Sequence, residues 1–170
     1  MFTDLQLNLA KKIVNTCSNL DLKVTTAESC TGGLISSCLT AIAGSSDVFD
    51  RGFVTYTNQA KIELLGVAPD LFKLCGAVSE EVAYGMAEGA LKQSIAQISV
   101  AVTGIAGPSG GTIEKPVGLV HIASASEGFK SFHERHIFKG RREEVRSSTL
   151  LASLKLILKQ INQIKALNVI

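Results

Sequence analysis

A chain of 170 residues, 46% hydrophobic and 19% charged, can bury a substantial core and is too apolar to be a disordered segment. A formal net charge of +2 and 5% aromatic residues, with no Trp, supply neither the basic field nor the stacking platforms of a nucleic-acid or anionic-membrane surface. No apolar run approaches the roughly 20 residues of a membrane span, the start carries an acid, and four cysteines without a C-x-x-C pair fit reduced thiols in a cytoplasmic protein.

Apolar residues at positions 2, 5, 9, 10, 13, 14 and 17 fall on one helical face and predict a first helix. "KVTTA" (23–27) reads as a short strand, and apolar positions 34, 35, 38, 39 and 42 predict a second helix ended by Gly44. "RGFVTYT" is β-branched and aromatic, hence a strand; "NQAKIELLG" is a short helix with Asn58 as its cap and Gly66 behind it. Ser79 is expected to cap a longer helix, with Glu80 and Glu81 in its first turn and Val82, Ala83, Met86, Ala87, Ala90 and Leu91 as its buried stripe.

"QISVAVTG" is a near-continuous apolar run, the pattern of a central strand covered on both faces. "VGLVHIASAS" and "FKSFHERHIF" flank Glu127-Gly128 as a hairpin. A last helix starts near Arg141, with Leu150, Leu151, Leu154, Ile157, Leu158 and Ile161 facing inward. Strands and helices alternate first and a hairpin comes late, without repeat or linker. The expectation is one α/β domain: three layers, α/β/α, around a mixed, mostly parallel sheet.

Ligands of open α/β sheets collect beyond the carboxyl ends of the strands. Three polar segments are candidates. In "ESCTGG" (28–33), Ser29, Cys30 and Thr31 could each attack a substrate or bind an anion; Gly32 and Gly33 permit close approach, and amides at a helix start suit a phosphate or carboxylate. No Lys follows Gly33, so this is not a P-loop, and a polar helix cap is the bland alternative. "TGIAGPSGGTIEKP" (103–116) places Thr103 and Gly104 at the end of the most apolar strand and carries four glycines, as either a binding loop or a plain surface loop.

The third segment, "AGSSDVFDRGFVTYTNQAK" (43–61), holds Ser46, Tyr56 and Lys61. A lysine in a first helical turn sits at the positive end of the helix dipole. On the surface that means little; inside a cleft the amine would be driven toward its neutral form and could serve a serine as general base. "GRREEVR" (140–146) is either a solvated helix start or presents Arg142 or Arg146 to a phosphate.

The histidines, 121, 133 and 136, all fall on the hairpin, with His133 and His136 on opposite faces; none lies near the polar segments in sequence, which disfavours a Ser-His-Asp triad. No Cys/His/carboxylate cluster has metal-ligand spacing. Glu28, Cys30 and Lys61 imitate a Glu-Lys-Cys amidase set, but Cys30 lacks a His partner and reads better as a packing residue.

The runs "TTAESCTGG", "IAGSSDVFDRGFVTYTNQAK", "GAVSE", "TGIAGPSGG", "EKPVGLV" and "GRREEVR", in this order, resemble the CinA C-terminal domain family, whose stand-alone members are nicotinamide-nucleotide amidases. The resemblance implies hydrolysis of nicotinamide mononucleotide to nicotinate mononucleotide and ammonia, in cytoplasmic pyridine-nucleotide recycling. It implies no metal or other cofactor, a small-molecule nucleotide as partner, and neither nucleic acid nor membrane; a homo-oligomer is left open. The N-terminal domain of longer family members is expected to be absent. The family's catalytic Ser, Tyr and Lys fall on Ser46, Tyr56 and Lys61. Ser46 is then the nucleophile and Lys61 the base, acting directly or through Tyr56. Ser29, Thr31, Gly32, Gly33, Thr103, Gly104, Arg142 and Arg146 are expected to hold the substrate. The rival reading is a non-catalytic nucleotide-binding or regulatory module on the same fold.

Overall fold

The computed structural model describes residues 2–167. The elements are α1 (Asp4–Asn19), β1 (Val24–Glu28), α2 (Leu34–Thr40), β2 (Phe49–Val54), α3 (Asn58–Leu65), α4 (Pro69–Leu74), α5 (Glu80–Lys92), β3 (Ile98–Gly104), β4 (Leu119–Ser126), β5 (Phe132–Ile137) and α6 (Arg142–Leu167), with one 3-10 turn at Ser45–Asp47. The strands form a single sheet in the order β2-β1-β3-β4-β5. β1 pairs in parallel with β2 and β3, and β4 pairs antiparallel with β3 and β5. Four strands therefore run one way and β4 alone runs back, the mixed sheet expected from a late hairpin.

Side chains alternate across the sheet, and the two faces differ in size. Val100, Val102 and Ile122 pack with Ile13, Ile35, Leu150, Leu154 and Ile157 from α1, α2 and α6. Ala27, Ala101, Ala123 and Ala125 face Val82, Ala83, Met86 and Ala87 of α5. Small side chains on that face let α5 lie close to the strands. α3 reaches α5 by a close contact too: a Cβ on Gly89 would collide with the Leu65 carbonyl oxygen.

Local chemistry sets the element ends. Thr3 caps α1 in a reciprocal box with Gln6, and Ser79 caps α5 as expected. α3 is capped by Thr57, whose hydroxyl accepts from the Ala60 amide, and not by Asn58, which is already helical. α4 was not foreseen; it starts at Pro69, a favoured first helical residue, but its six residues are too few to show a period. β2 begins two residues before the expected run and ends at Val54. In α6, Leu150, Leu154, Ile157 and Ile161 are buried as expected, Leu151 and Leu158 are half-buried, and Leu156 is buried as well.

Three chain segments leave the sheet at one end: 29–33 after β1, 55–57 after β2 and 105–118 after β3. The 3-10 turn at Ser45–Asp47 precedes β2 and lies at the opposite end.

Candidate active site

Lys61 is 1% exposed, which makes it a fully buried amine. Its Nζ lies 3.0 Å from Ser29 Oγ, 2.8 Å from the Thr55 carbonyl oxygen, 3.4 Å from that of Tyr56 and 3.5 Å from that of Thr57. Burial pushes the ammonium down from 10.5 to about 8, with Cys30 pulling the other way. A neutral amine in this cage keeps two N–H groups for the carbonyls and turns its lone pair to Ser29.

Ser29 is the first residue past β1, and its amide still donates to Val102 O at 3.1 Å, so the serine is held by the sheet. The chain then turns back through Gly32 and Gly33, both left-handed at φ +59° and +94°. Behind the turn, the carboxylate of Glu28, 0% exposed, accepts from the amides of Gly33 (3.0 Å), Ile35 (3.0 Å) and Ser36 (2.8 Å) and from Ser36 Oγ (2.6 Å). The start of α2, expected to cradle a substrate anion, is thus filled by the protein's own carboxylate. Among the described residues, the amide of Thr31 donates to no main-chain carbonyl. The Cys30 thiol is pushed up to about 11 by burial, so it is protonated at neutral pH.

Ser29 and Lys61 line a pocket of about 200 Å³, with Tyr56, Thr103, Gly104 and Arg142 also on its walls. Arg142 donates from Nη2 to the Tyr56 hydroxyl and from Nη1 to the Gly107 carbonyl, each at 3.0 Å. Ala77 and Val78 supply the facing wall, anchored by Thr103 Oγ1 donating to Ala77 O and Lys115 Nζ donating to Val78 O. A larger cavity, about 530 Å³, lies between the end of α5 and the β4–β5 turn, at the far end of the sheet; its lining holds no base paired with a nucleophile. Of these two cavities, the small one pairs a buried amine with a hydroxyl.

Of the expected site residues, Ser29, Tyr56, Lys61, Thr103, Gly104 and Arg142 are brought together. Thr31, Gly32 and Gly33 shape the turn behind them, and Arg146 stands outside the lining, donating to Thr31 O at 2.7 Å. Among the described residues, the buried Thr31 Oγ1 and Arg146 Nε have no hydrogen-bond partner.

Ser46 is not brought to Lys61. It is exposed in the 3-10 turn before β2, whereas Lys61 follows the other end of that strand. Six strand residues at about 3.3 Å each separate the two ends by about 20 Å. The Tyr56 hydroxyl is likewise turned to Arg142 and does not lie between a serine and the amine.

Asn58, Ala77, Val78 and Ala106 also line the pocket, and nothing in their residue types marks them. The pairing of Ser29 with Lys61 did leave a signal: Ser29 follows a strand, where ligands gather, and Ser46 precedes one.

Among the described residues, no three His, Cys, Asp or Glu side chains are grouped to hold a metal ion, and no helix is long and apolar enough to cross a membrane. His121 Nδ1 and His133 Nε2 bond at 2.9 Å on the α5 face, where the two rings stack and Tyr84 lies tilted against His133; His136 bonds Glu134 on the other face.

Residues 6–161 match the model of the CinA C-terminal domain. The chain is 52% identical to a CinA-like protein of Syntrophobacter fumaroxidans over 79% of its own length and 32% of that protein's. It spans about a third of the length of the first curated relatives it matches. It is also 47% identical to the nicotinamide-nucleotide amidohydrolase PncC of Escherichia coli, over 82% of this chain and 85% of that one. Its fold superposes on the crystal structure of the competence/damage inducible protein CihA from Agrobacterium tumefaciens with a TM-score of 0.93, at 49% identity, covering 96% of this chain and 99% of the other. With the family model matched almost end to end and the fold shared at that closeness, the chain belongs to the CinA C-terminal domain family.

Proposed function

We propose that this protein hydrolyses the carboxamide of nicotinamide mononucleotide to nicotinate mononucleotide and ammonia. The observation that carries the reading is a buried lysine with a depressed pKa, 3.0 Å from a serine hydroxyl, at the base of a pocket. The likeness to nicotinamide-nucleotide amidohydrolase over most of both chains names the amide. Four free thiols agree with a cytoplasmic setting.

The mechanism assigns Ser29, not Ser46, as nucleophile. Lys61 takes the Ser29 proton as Oγ bonds to the carboxamide carbon, and the main-chain amides of the turn after Ser29, with Cys30 on the pocket wall, donate to the developing oxyanion. The C–N bond then breaks, the proton passes from Lys61 to the leaving ammonia, and an acyl ester remains on Ser29. Water attacks the ester, giving its proton to Lys61, and the proton returns to Ser29 as the C–Oγ bond breaks.

A pocket of about 200 Å³ takes the ring and its carboxamide but not a whole nucleotide, so the ribose phosphate lies outward, toward Arg142. Arg142 has neutral acceptors as its partners, a hydroxyl and a carbonyl, and keeps its charge for an anion.

Incubation of the pure protein with nicotinamide mononucleotide should release ammonium in a one-to-one ratio with nicotinate mononucleotide. Binding without ammonium release would favour a non-catalytic nucleotide module. Arg142→Ala should raise KM for the nucleotide about tenfold or more and change turnover of the dephosphorylated riboside little. Equal loss on both substrates would remove the phosphate role.

A further inference from the structure

The substrate of the proposed reaction carries a positive charge on its pyridinium ring, and the site offers that charge no carboxylate. None of the described residues that line the pocket is acidic. Glu28, the nearest candidate by sequence, spends both oxygens on the start of α2. The ionisable side chains that do line the pocket with a nitrogen, Lys61 and Arg142, are both basic and neither can supply negative charge. A cationic ring entering between them needs some other source of negative potential.

Tyr56 is the one aromatic residue among those lining the pocket, and it is 58% exposed. Its main-chain carbonyl is 3.4 Å from Lys61 Nζ and its hydroxyl is 3.0 Å from Arg142 Nη2. The side chain therefore runs from the Ser29–Lys61 end of the pocket to the arginine. A substrate held by its carboxamide at Ser29 has its charged nitrogen three bonds from the attacked carbon, and its phosphate farther out. That order, carboxamide, cation, anion, matches Ser29, the Tyr56 ring and Arg142.

The geometry points to Tyr56 as the specificity residue for the oxidised, cationic ring, through the negative face of its phenol ring, with its hydroxyl anchoring Arg142 for the phosphate. The inference rests on the proposed amidase reading and adds a basis for choosing among nucleotides of one shape. It also gives Tyr56 a duty that needs no proton transfer.

The test compares nicotinamide mononucleotide with its reduced dihydropyridine form, which keeps the carboxamide and phosphate but has a neutral ring. Hydrolysis is removed by Ser29→Ala, and dissociation constants are measured by calorimetry. With Tyr56 in place the oxidised form should bind about threefold to thirtyfold more tightly. Adding Tyr56→Leu should bring that ratio near one. Adding Tyr56→Phe should preserve the ratio while weakening both ligands alike, since the ring stays and only the anchor of Arg142 is lost.

Because the side chain is largely exposed, neither change threatens the fold, and an unchanged Tm checks this. A ratio that Tyr56→Leu leaves intact, or that Tyr56→Phe abolishes, would overturn the inference while ammonium release by the parent protein still supported the amidase reading. Failure of both nucleotides to bind would overturn the two together.

Discussion

Lys61 sits where its charge is costly and its lone pair is useful, so the residue scale is where the proposed chemistry can be tested most directly. As the base it must be neutral, so kcat/KM should rise with pH up to about 8 and level off above it. Two pH units lower only about 1% of the amine is free, and the rate should fall in proportion. Lys61→Arg should lose about 10²–10⁴-fold, nearly as much as Lys61→Met, because a guanidinium does not give up its proton near neutrality. The serines separate as clearly. Ser29→Ala should lose at least about a thousandfold in kcat, whereas exposed Ser46→Ala should stay within about twofold, as for an ordinary surface change. Cys30→Ala should lose no more than about tenfold, through packing, since its buried thiol is not ionised. A strong Ser46 effect with a mild Ser29 effect would reverse the assignment.

Among the elements, α2 is the one whose start governs the site. It has seven residues, too few to persist by propensity, and its N-terminal amides depend on Glu28. Glu28→Gln replaces one oxygen by an N–H donor that must face another donor; it should destabilise the fold by about 2–4 kcal/mol by denaturant titration. Because the same turn carries the Cys30 and Thr31 amides, kcat should fall more than KM rises; a variant that loses stability with kcat intact would make Glu28 a cap alone. The element scale also shows what was readable beforehand. Ser79 and Gly66 bound their helices through local chemistry that a sequence displays directly. Thr57 and Asn58 are adjacent cap-type residues, and only the fold decides between them. The β4–β5 hairpin and the apolar β3 were legible because each has a simple pattern. Glu28 was not, because its partners are main-chain amides that any sequence would supply. The Ser29–Lys61 contact joins residues 32 positions apart and required knowing that β1 and β2 are adjacent and parallel.

At the scale of the whole molecule, the proposed base is also a term in global stability, and the two roles must share one pKa. In the unfolded chain Lys61 titrates near 10.5, and in the folded protein at about 8. Between those values the unfolded state holds a proton that the folded state has released, so folding gains stability as pH rises. Below about 8 both states are protonated, and the full penalty of burying the ammonium is present. The shift corresponds to roughly 2–4 kcal/mol. Lys61→Met keeps the volume and removes the titration, so subtracting its stability from that of the parent cancels every other ionising group. The parent should gain on the variant by roughly 2–4 kcal/mol between pH 7 and pH 11, with the gain beginning near 8. Denaturant midpoints collected across that range, without substrate, measure it. A difference that stays flat would show that the amine titrates as in water, and the pH–rate curve would then belong to another group. If the onset of the gain and the midpoint of kcat/KM coincide, one buried amine accounts for both.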